Sequence, residues 1–122
     1  MSTLEKMELA KKYYSAVDAG DFTVMKEIFS ENIIYHRCEK LIVGINNLLS
    51  FYTNSRKIKG HHEINEIYSD QGVVIVLGQF LGVDSKSTNL SINFVDFFSF
   101  DTSEKKIRIR KTFIAAGYEQ TV

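Results

Sequence analysis

Apolar and polar residues follow two different spacings along the chain, and the spacing changes near residue 60. Before that point apolar residues recur every three or four positions, as at Leu9, Tyr13 and Val17, and this period predicts a helix over residues 3–19. After it, apolar and polar residues alternate, which is typical of strands with one buried face. The sequence therefore predicts helices in the first half of the chain and strands in the second.

The first two helices are expected to follow each other closely. The first begins at a capping box formed by Ser2 and Glu5 and ends at Gly20, a residue type that suits the left-handed conformation at a helix end. A short second helix follows Asp21, which is expected to cap it. Its apolar stripe consists of Phe22, Met25, Ile28 and Phe29.

The remaining segments predict a first strand, a third helix and four further strands. A β-branched and aromatic run predicts a strand over residues 32–37, followed by a loop. Apolar spacing after Gly44 predicts the third helix, which ends near Ser55. The alternating segments then predict strands over residues 61–70, 72–83, 88–101 and 105–118. Short turn-forming sequences separate these strands, so neighbouring strands are expected to be antiparallel.

Two glycines within one predicted strand, Gly78 and Gly82, indicate that the sheet bends. Helices followed by strands predict an α+β domain, in which three N-terminal helices cover one face of a strongly curved antiparallel sheet. A sheet bent in this way leaves a conical hollow. No proline, linker or repeat divides the chain, so a single domain is expected over residues 1–122.

The charge and cysteine content exclude several classes of protein. Fifteen Lys and Arg balance fifteen Asp and Glu, so no net positive field attracts nucleic acid. Cys38 is the single cysteine and cannot form an internal disulfide. Charges interrupt the first 20 positions, and no apolar run approaches the roughly 20 residues of a membrane span. We therefore expect a cytoplasmic protein that contacts neither nucleic acid nor membrane.

One acid interrupts an apolar row in the third of the later strands. Asp96 shares a strand face with Phe94 and Phe98, because side chains alternate with a period of two. An ionised carboxylate is costly to bury among phenylalanines, so Asp96 must be paired, protonated or at the edge of a cavity. The next strand offers ionic partners at Arg108, Arg110 and Lys111, and a tyrosine hydroxyl is the further alternative.

Five segments, in chain order, carry a resemblance to a known family: KKYYSAVDAGD, FSENIIYHR, FYTNSRK, FVDFFSFD and KKIRIRKTF. Their order and spacing resemble the nuclear transport factor 2-like superfamily, and within it the ketosteroid isomerase and SnoaL-like polyketide cyclase branch. The resemblance covers nearly the whole chain. It implies a cone-shaped barrel of helices and curved sheet, and a homodimer formed through the outer sheet face, where Val95 and Phe97 are expected.

The resemblance also implies catalytic roles for three residues. In steroid isomerases a tyrosine of the first helix and a protonated aspartic acid of a late strand together donate hydrogen bonds to an oxyanion. The resemblance matches Tyr13 to that tyrosine and Asp96 to that acid. His36 falls where the family pattern has a proton-transferring aspartate followed by proline, and histidine exchanges protons at neutral pH. The alternatives are a paired structural carboxylate for Asp96, a core tyrosine for Tyr13, and a core or rim histidine for His36.

The implied function is proton transfer next to a carbonyl, as isomerisation or aldol-type cyclisation of a small apolar cyclic molecule, without a cofactor. The alternative is a non-catalytic ligand-binding or dimerisation module of the same fold. The aromatic residues expected to line the substrate pocket are Phe22, Phe29, Tyr52, Phe80, Phe94, Phe98 and Phe113. No metal site is expected, because the adjacent His61 and His62 face opposite sides of a strand and no third ligand completes a site.

Overall fold

The computed structural model describes residues 1–55 and 59–115, and these ranges contain three α-helices and six strands. The helices are α1 (Thr3–Ala19), α2 (Met25–Ile28) and α3 (Ile45–Ser50). A 3₁₀ turn (Phe22–Val24) precedes α2, and a π-helix (Phe51–Ser55) continues α3. The strands are β1 (Phe29–Arg37), β2 (Lys40–Val43), β3 (Lys59–Asp70), β4 (Val73–Val83), β5 (Asn89–Asp101) and β6 (Lys106–Ile114).

Helix α1 begins and ends as predicted. The Glu5 amide donates to the Ser2 hydroxyl at 3.1 Å, and the Ser2 amide donates to the Glu5 carboxylate at 2.9 Å. Gly20 has a φ of 71° in the left-handed region, and its amide donates to carbonyl groups of the last helical turn. The predicted capping box and helix end are both confirmed.

Two segments differ from the prediction. Strand β1 begins at Phe29, which helical spacing had assigned to the second helix, and β2 occupies part of the predicted loop. These strands pair around a tight turn at Cys38, whose φ of 54° is left-handed. A four-residue strand carries too little alternation to be recognised from spacing. The predicted end of the last strand, residues 116–118, lies outside the described residues.

The six strands form one sheet in the order β2-β1-β6-β5-β4-β3. Strands β3 to β6 are antiparallel neighbours, as predicted, but β1 and β6 run parallel, so the sheet is mixed. In the described ranges β2 and β3 are the two sheet edges, so the curved sheet does not close into the expected barrel. Alternation specifies which face of a strand is buried, but it does not specify which distant strand pairs with it.

Gly78 lies where the sheet is irregular. It pairs with Ile64, and the register between β3 and β4 shifts between Ile64 and Glu66. A Cβ atom at Gly78 would lie 2.3 Å from the Glu63 carbonyl oxygen and 2.8 Å from the Phe94 ring. Glycine is therefore required at this position, because the neighbouring backbone and ring approach too closely for any side chain.

The core lies between α1 and the inner face of the sheet. Tyr13, Tyr14 and Val17 are buried on the sheet-facing side of α1. The inner face of β4 and β5 consists of even-numbered residues, including Val74, Val76, Phe94, Asp96 and Phe98. Within the described ranges, no helix combines the length and apolar character that a membrane crossing requires.

Candidate functional site

Asp96 is buried completely and forms an ion pair with Arg110 on the neighbouring strand. Asp96 pairs in register with Thr112, and Arg110 lies two residues before Thr112 on the same strand. Because side chains two residues apart share a strand face, Asp96 and Arg110 both point inward. The Arg110 Nε atom donates to Asp96 Oδ1 at 3.2 Å, and Nη2 donates to Oδ2 at 3.0 Å. Two parallel hydrogen bonds of this kind are the strong geometry for a guanidinium and a carboxylate.

Two hydroxyl groups complete the surroundings of Asp96. The Tyr14 hydroxyl, from α1, donates to Oδ2 at 2.5 Å. The Thr112 hydroxyl, from β6, donates to Oδ1 and also pairs with the Tyr35 hydroxyl at 3.0 Å. Four donors therefore share the two carboxylate oxygens, which offer about four lone-pair sites.

The third nitrogen of Arg110 faces a pair of tyrosines. Arg110 Nη1 donates to the Tyr13 hydroxyl at 2.5 Å and to the Tyr52 hydroxyl at 3.1 Å, and these two hydroxyls lie 2.5 Å apart. The guanidinium carbon also lies 4.2 Å from the ring centre of Tyr13 and 4.5 Å from that of Tyr35. Arg110 is thus held by hydrogen bonds at its edge and by aromatic rings at its faces.

These residues form one unit, which we call the Asp96–Arg110 cluster; it consists of Tyr13, Tyr14, Tyr35, Tyr52, Asp96, Arg110 and Thr112. Helix α1, the π-helix and strands β1, β5 and β6 contribute its members. In the described part of the chain, every buried side-chain nitrogen and oxygen has a hydrogen-bond partner. A polar network that is fully satisfied in this way makes a rigid and specific core.

The titration behaviour of the cluster follows from its burial. Burial raises the pKa of Tyr13 and Tyr14 well above the usual range, and the negative charge of Asp96 adds to the effect on Tyr14. Burial also raises the pKa of Tyr35 to about 12. For Arg110, burial disfavours the cation, but the attraction of Asp96 outweighs this and raises its pKa well above the usual value. At neutral pH Tyr13, Tyr14 and Tyr35 are protonated and the guanidinium is charged.

A second polar contact joins the end of α1 to strand β3. His62 Nδ1 lies 2.6 Å from Asp18 Oδ1, and the His62 amide donates to Asp18 Oδ2 at 2.8 Å. The His62 and Asp18 side chains retain 11% and 21% of their exposure, so this contact lies at the boundary with solvent. We call these two residues the Asp18–His62 pair.

Aromatic side chains surround the ring of His62. The ring centres of Tyr14, Phe80 and Phe94 lie 5.2, 5.0 and 5.5 Å from that of His62. Tyr14 therefore contacts His62 through its ring and Asp96 through its hydroxyl. The Asp18–His62 pair and the Asp96–Arg110 cluster are neighbours, but they differ sharply in exposure to solvent.

Comparison with known proteins identifies the family. The sequence pattern of the SnoaL-like domain matches residues 10–109, which is most of the chain. The chain belongs to the SnoaL-like family. Its predicted resemblance to the SnoaL-like branch of the nuclear transport factor 2-like superfamily is thereby confirmed. Among curated proteins, no sequence matches this SnoaL-like chain.

Solved structures share the fold of this SnoaL-like chain. A candidate SnoaL-like polyketide cyclase from Shewanella denitrificans has a TM-score of 0.83 and 14% identity, over 98% of this chain and 95% of that one. An NTF2-like protein of unknown function from Burkholderia pseudomallei has a TM-score of 0.83 and 12% identity, over 99% and 97%. An LEH-like epoxide hydrolase from M. tuberculosis has a TM-score of 0.81 and 13% identity, over 93% and 84%. At these identities the similarity establishes the fold and not the reaction.

The three predicted catalytic residues of this SnoaL-like chain do not form one site. Tyr13 and Asp96 both belong to the buried cluster, where Arg110 lies between them. His36 is exposed on the outer sheet face, because the neighbouring Tyr35 points inward and alternation sends His36 outward. Of the partners left open for Asp96, the geometry contains two, the Arg110 guanidinium and a tyrosine hydroxyl, that of Tyr14. Arg108 instead donates to the Asn32 carbonyl.

The seven predicted lining residues separate into three groups. Phe29 and Phe98 are fully buried, and Phe29 also borders an open surface groove of about 510 Å³ beside the start of α3. Tyr52, Phe80 and Phe94 are buried on the inner side, and the half-buried Phe22 stacks on Tyr52 with ring centres 5.7 Å apart. Phe113 does not line the interior: it is 55% exposed on the outer face, because its neighbour Thr112 points inward.

Sequence reasoning did not identify the Asp18–His62 pair. It did predict that His61 and His62 face opposite sides, and the structure agrees: the His61 side chain is 59% exposed and lies near Glu63, whereas His62 points inward. The pair forms because β3 lies close to the end of α1, and local sequence patterns do not indicate which distant elements pack together. In the described ranges, no group of three or more His, Cys, Asp or Glu residues is arranged to hold a metal ion.

Proposed function

We propose that this SnoaL-like chain binds a small, flat, apolar molecule and uses the Asp96–Arg110 cluster as a structural element. The observation that carries this proposal is the complete satisfaction of Asp96 by Arg110, Tyr14 and Thr112. The proposal corresponds to the ligand-binding alternative that the sequence left open.

The hydrogen-bond count argues against Asp96 as a neutral oxyanion donor. To donate to a substrate, the carboxyl group would have to take up a proton and give up its bonds from Arg110. The guanidinium would then be a buried charge without its partner, and breaking a buried ion pair costs about 3–5 kcal/mol. We therefore do not propose isomerisation or aldol-type cyclisation by Tyr13, His36 and Asp96, because Asp96 is paired with Arg110 and His36 is exposed on the outer sheet face.

Aromatic side chains on the inner side of the fold favour a flat apolar ligand. Phe80 and Phe94 present rings beside His62, and the half-buried Phe22 lies over Tyr52. Aromatic rings bind flat apolar groups through large contact areas and offset or edge contacts. Small-molecule sites are lined in this way, with few polar groups among apolar ones.

A homodimer through the outer sheet face is part of the proposal. Phe97 and the exposed Phe113 contact each other on that face with ring centres 5.9 Å apart, and Val95 lies on the same face. Apolar side chains gathered on one exposed sheet face mark an interaction surface. A second copy of the chain would cover them.

Titration with 2-naphthol, a flat phenol, tests the binding proposal. We expect saturable binding, measured by the change in 2-naphthol fluorescence. Phe80→Ala should weaken the affinity several-fold, since an aromatic contact is worth about 0.5–1.5 kcal/mol. Tyr68→Ala is the matched control, because Tyr68 is an aromatic residue that is 50% exposed. Absence of saturable binding to wild-type protein, or equal weakening by both variants, would contradict the proposal.

A further inference from the structure

We propose that two copies of the chain join through their outer sheet faces in one orientation, in which Lys111 on β6 of each copy faces Glu66 and Asp70 on β3 of the other. The inference rests on the homodimer proposed above and adds which sides of the two faces meet. It is independent of ligand binding and of the buried cluster, because all three side chains lie on the opposite side of the sheet.

Apolar side chains cross the outer face from β6 to β3. Strand register pairs Phe97 with Ile75 and Val95 with Leu77, and paired residues share a face. An exposed aromatic residue stands at each end, where Phe113 on β6 is 55% exposed and Tyr68 on β3 is 50% exposed. We call these six residues the apolar strip; they are Tyr68, Ile75, Leu77, Val95, Phe97 and Phe113. Apolar and aromatic side chains of this kind are typical of the centre of a protein interface.

Charges of opposite sign flank the apolar strip on its two sides. On β6, Lys111 is exposed and pairs in register with the outward Phe97. On β3, Glu66 and Asp70 are exposed and pair with outward residues of β4. Three strand spacings separate Lys111 from the acids, which is about 14 Å at about 4.8 Å between neighbouring strands. This distance is too long for an ion pair within one copy, so the two charged sides are free to pair with another copy.

Two-fold symmetry relates these charges across a dimer. A two-fold interface uses the same patch on both copies, and aligned sheets keep their strand directions within about 30° of each other. A two-fold axis that runs along the strands, through the middle of the apolar strip, places β6 of one copy over β3 of the other. Lys111 then meets the partner's acids at both sides of the interface. An axis that runs across the strands places each strand over its own equivalent, so the acids of β3 meet the same acids. Opposite charges favour the first orientation and like charges oppose the second.

The apolar strip and the charges have different effects on association. Burial of the strip supplies most of the affinity, because removal of apolar surface from water drives association. Ion pairs at the rim of an interface contribute little affinity, and they mainly exclude wrong arrangements. In a two-fold dimer each pairing occurs twice. Reversing the sign of Lys111 therefore replaces two attractions by two repulsions, and Lys111→Glu should weaken the dimer more than the neutral change Lys111→Gln.

Charge-reversed variants test the orientation. The Lys111→Glu variant and the Glu66→Lys/Asp70→Lys variant should each weaken the homodimer about 10-fold or more in sedimentation equilibrium, because each then has like charges on both sides. A mixture of the two variants should form a heterodimer, in which every facing pair again has opposite signs. Native mass spectrometry, with one variant ¹⁵N-labelled, should find more heterodimer than random pairing gives. Formation of the heterodimer also shows that both variants fold.

The control mixture carries the same changes in net charge on the helices. Lys12→Glu alters a side chain that is 54% exposed, and Glu8→Lys/Glu27→Lys alters side chains that are 61% and 70% exposed. Both control variants should dimerise like wild-type protein and mix at random. A wild-type dimer that Lys111→Glu does not weaken, random pairing of the outer-face variants, or an equal preference in the control mixture would overturn this inference and leave the proposed homodimer standing. Wild-type protein that is a monomer at all concentrations would overturn both.

Discussion

Replacing Asp96 by asparagine is the most direct test of the ion pair at the centre of the fold. The amide has almost the same shape as the carboxyl group, but it carries no charge, and its nitrogen places a donor where Asp96 accepts bonds from Arg110, Tyr14 and Thr112. Because Asp96 is fully buried and Arg110 is 4% exposed, water cannot replace the lost partner.

The expected loss is large compared with the stability of a small domain. Removing one partner of a buried pair costs about 3–5 kcal/mol, and a domain is stable by about 5–15 kcal/mol in total. For a chain of this length, each kcal/mol lost from the free energy of unfolding lowers the Tm by roughly 3–6 °C. Asp96→Asn should therefore lower the Tm by roughly 10–30 °C. The free energy of unfolding is measured by urea titration, with an m-value that stays constant.

The control is Glu8→Gln, which removes an exposed ion pair with Lys11 and should change stability by less than about 0.5 kcal/mol. A double-mutant cycle with Arg110→Met should give a loss smaller than the sum of the single losses, because each substitution removes the same interaction. A loss below about 1 kcal/mol for Asp96→Asn would refute the reasoning. It would mean that Asp96 is a neutral acid, which an amide replaces with little change.

Three further outcomes are expected. Tyr14→Phe should cost about 1.5–3 kcal/mol in urea unfolding, since its hydroxyl binds a charged group, whereas the exposed Tyr68→Phe should be neutral; equal losses would contradict this. Burial raises the folded pKa of Tyr35 from 10.0 to about 12, so its contribution to stability is present below pH 10 and is lost as pH rises towards 12. The free energy of unfolding should therefore fall over that range, with a smaller slope in Tyr35→Phe, and an unchanged slope would be evidence against a buried Tyr35. Sedimentation should show a dimer for wild-type protein and a monomer for Phe113→Arg, and a wild-type monomer at all concentrations would exclude the outer-face dimer.

Local patterns predicted most elements of the fold because each depends on neighbours in sequence. The Ser2–Glu5 capping box, the helix end at Gly20 and the β3–β6 hairpins are local features, and all were found. The inward direction of Asp96 also follows from alternation alone. The parallel pairing of β1 with β6 depends on strands that are far apart in sequence, and alternation carries no information about it.

The chemistry of the site was harder to predict because it depends on contacts between distant elements. The family resemblance pointed to Tyr13 and Asp96, and the sequence named three cations, Arg110 among them, or a tyrosine hydroxyl as partners for the acid. It could not choose between these partners. That choice depends on how β5 and β6 align in register. For His36 the alternation rule was available, but it required knowing that Tyr35 is the inward residue. The Asp18–His62 pair joins residues 44 positions apart and has no sequence signal of its own.

Arg110 is the neighbour that sets the chemical environment of Asp96. Strand alternation turns Asp96 inward whether or not it is charged. A guanidinium at hydrogen-bond distance favours the carboxylate, because opposite charges attract strongly where water is absent. An apolar neighbour at that position would favour the neutral acid instead. The residues that identify the family therefore do not by themselves determine the chemistry of the site.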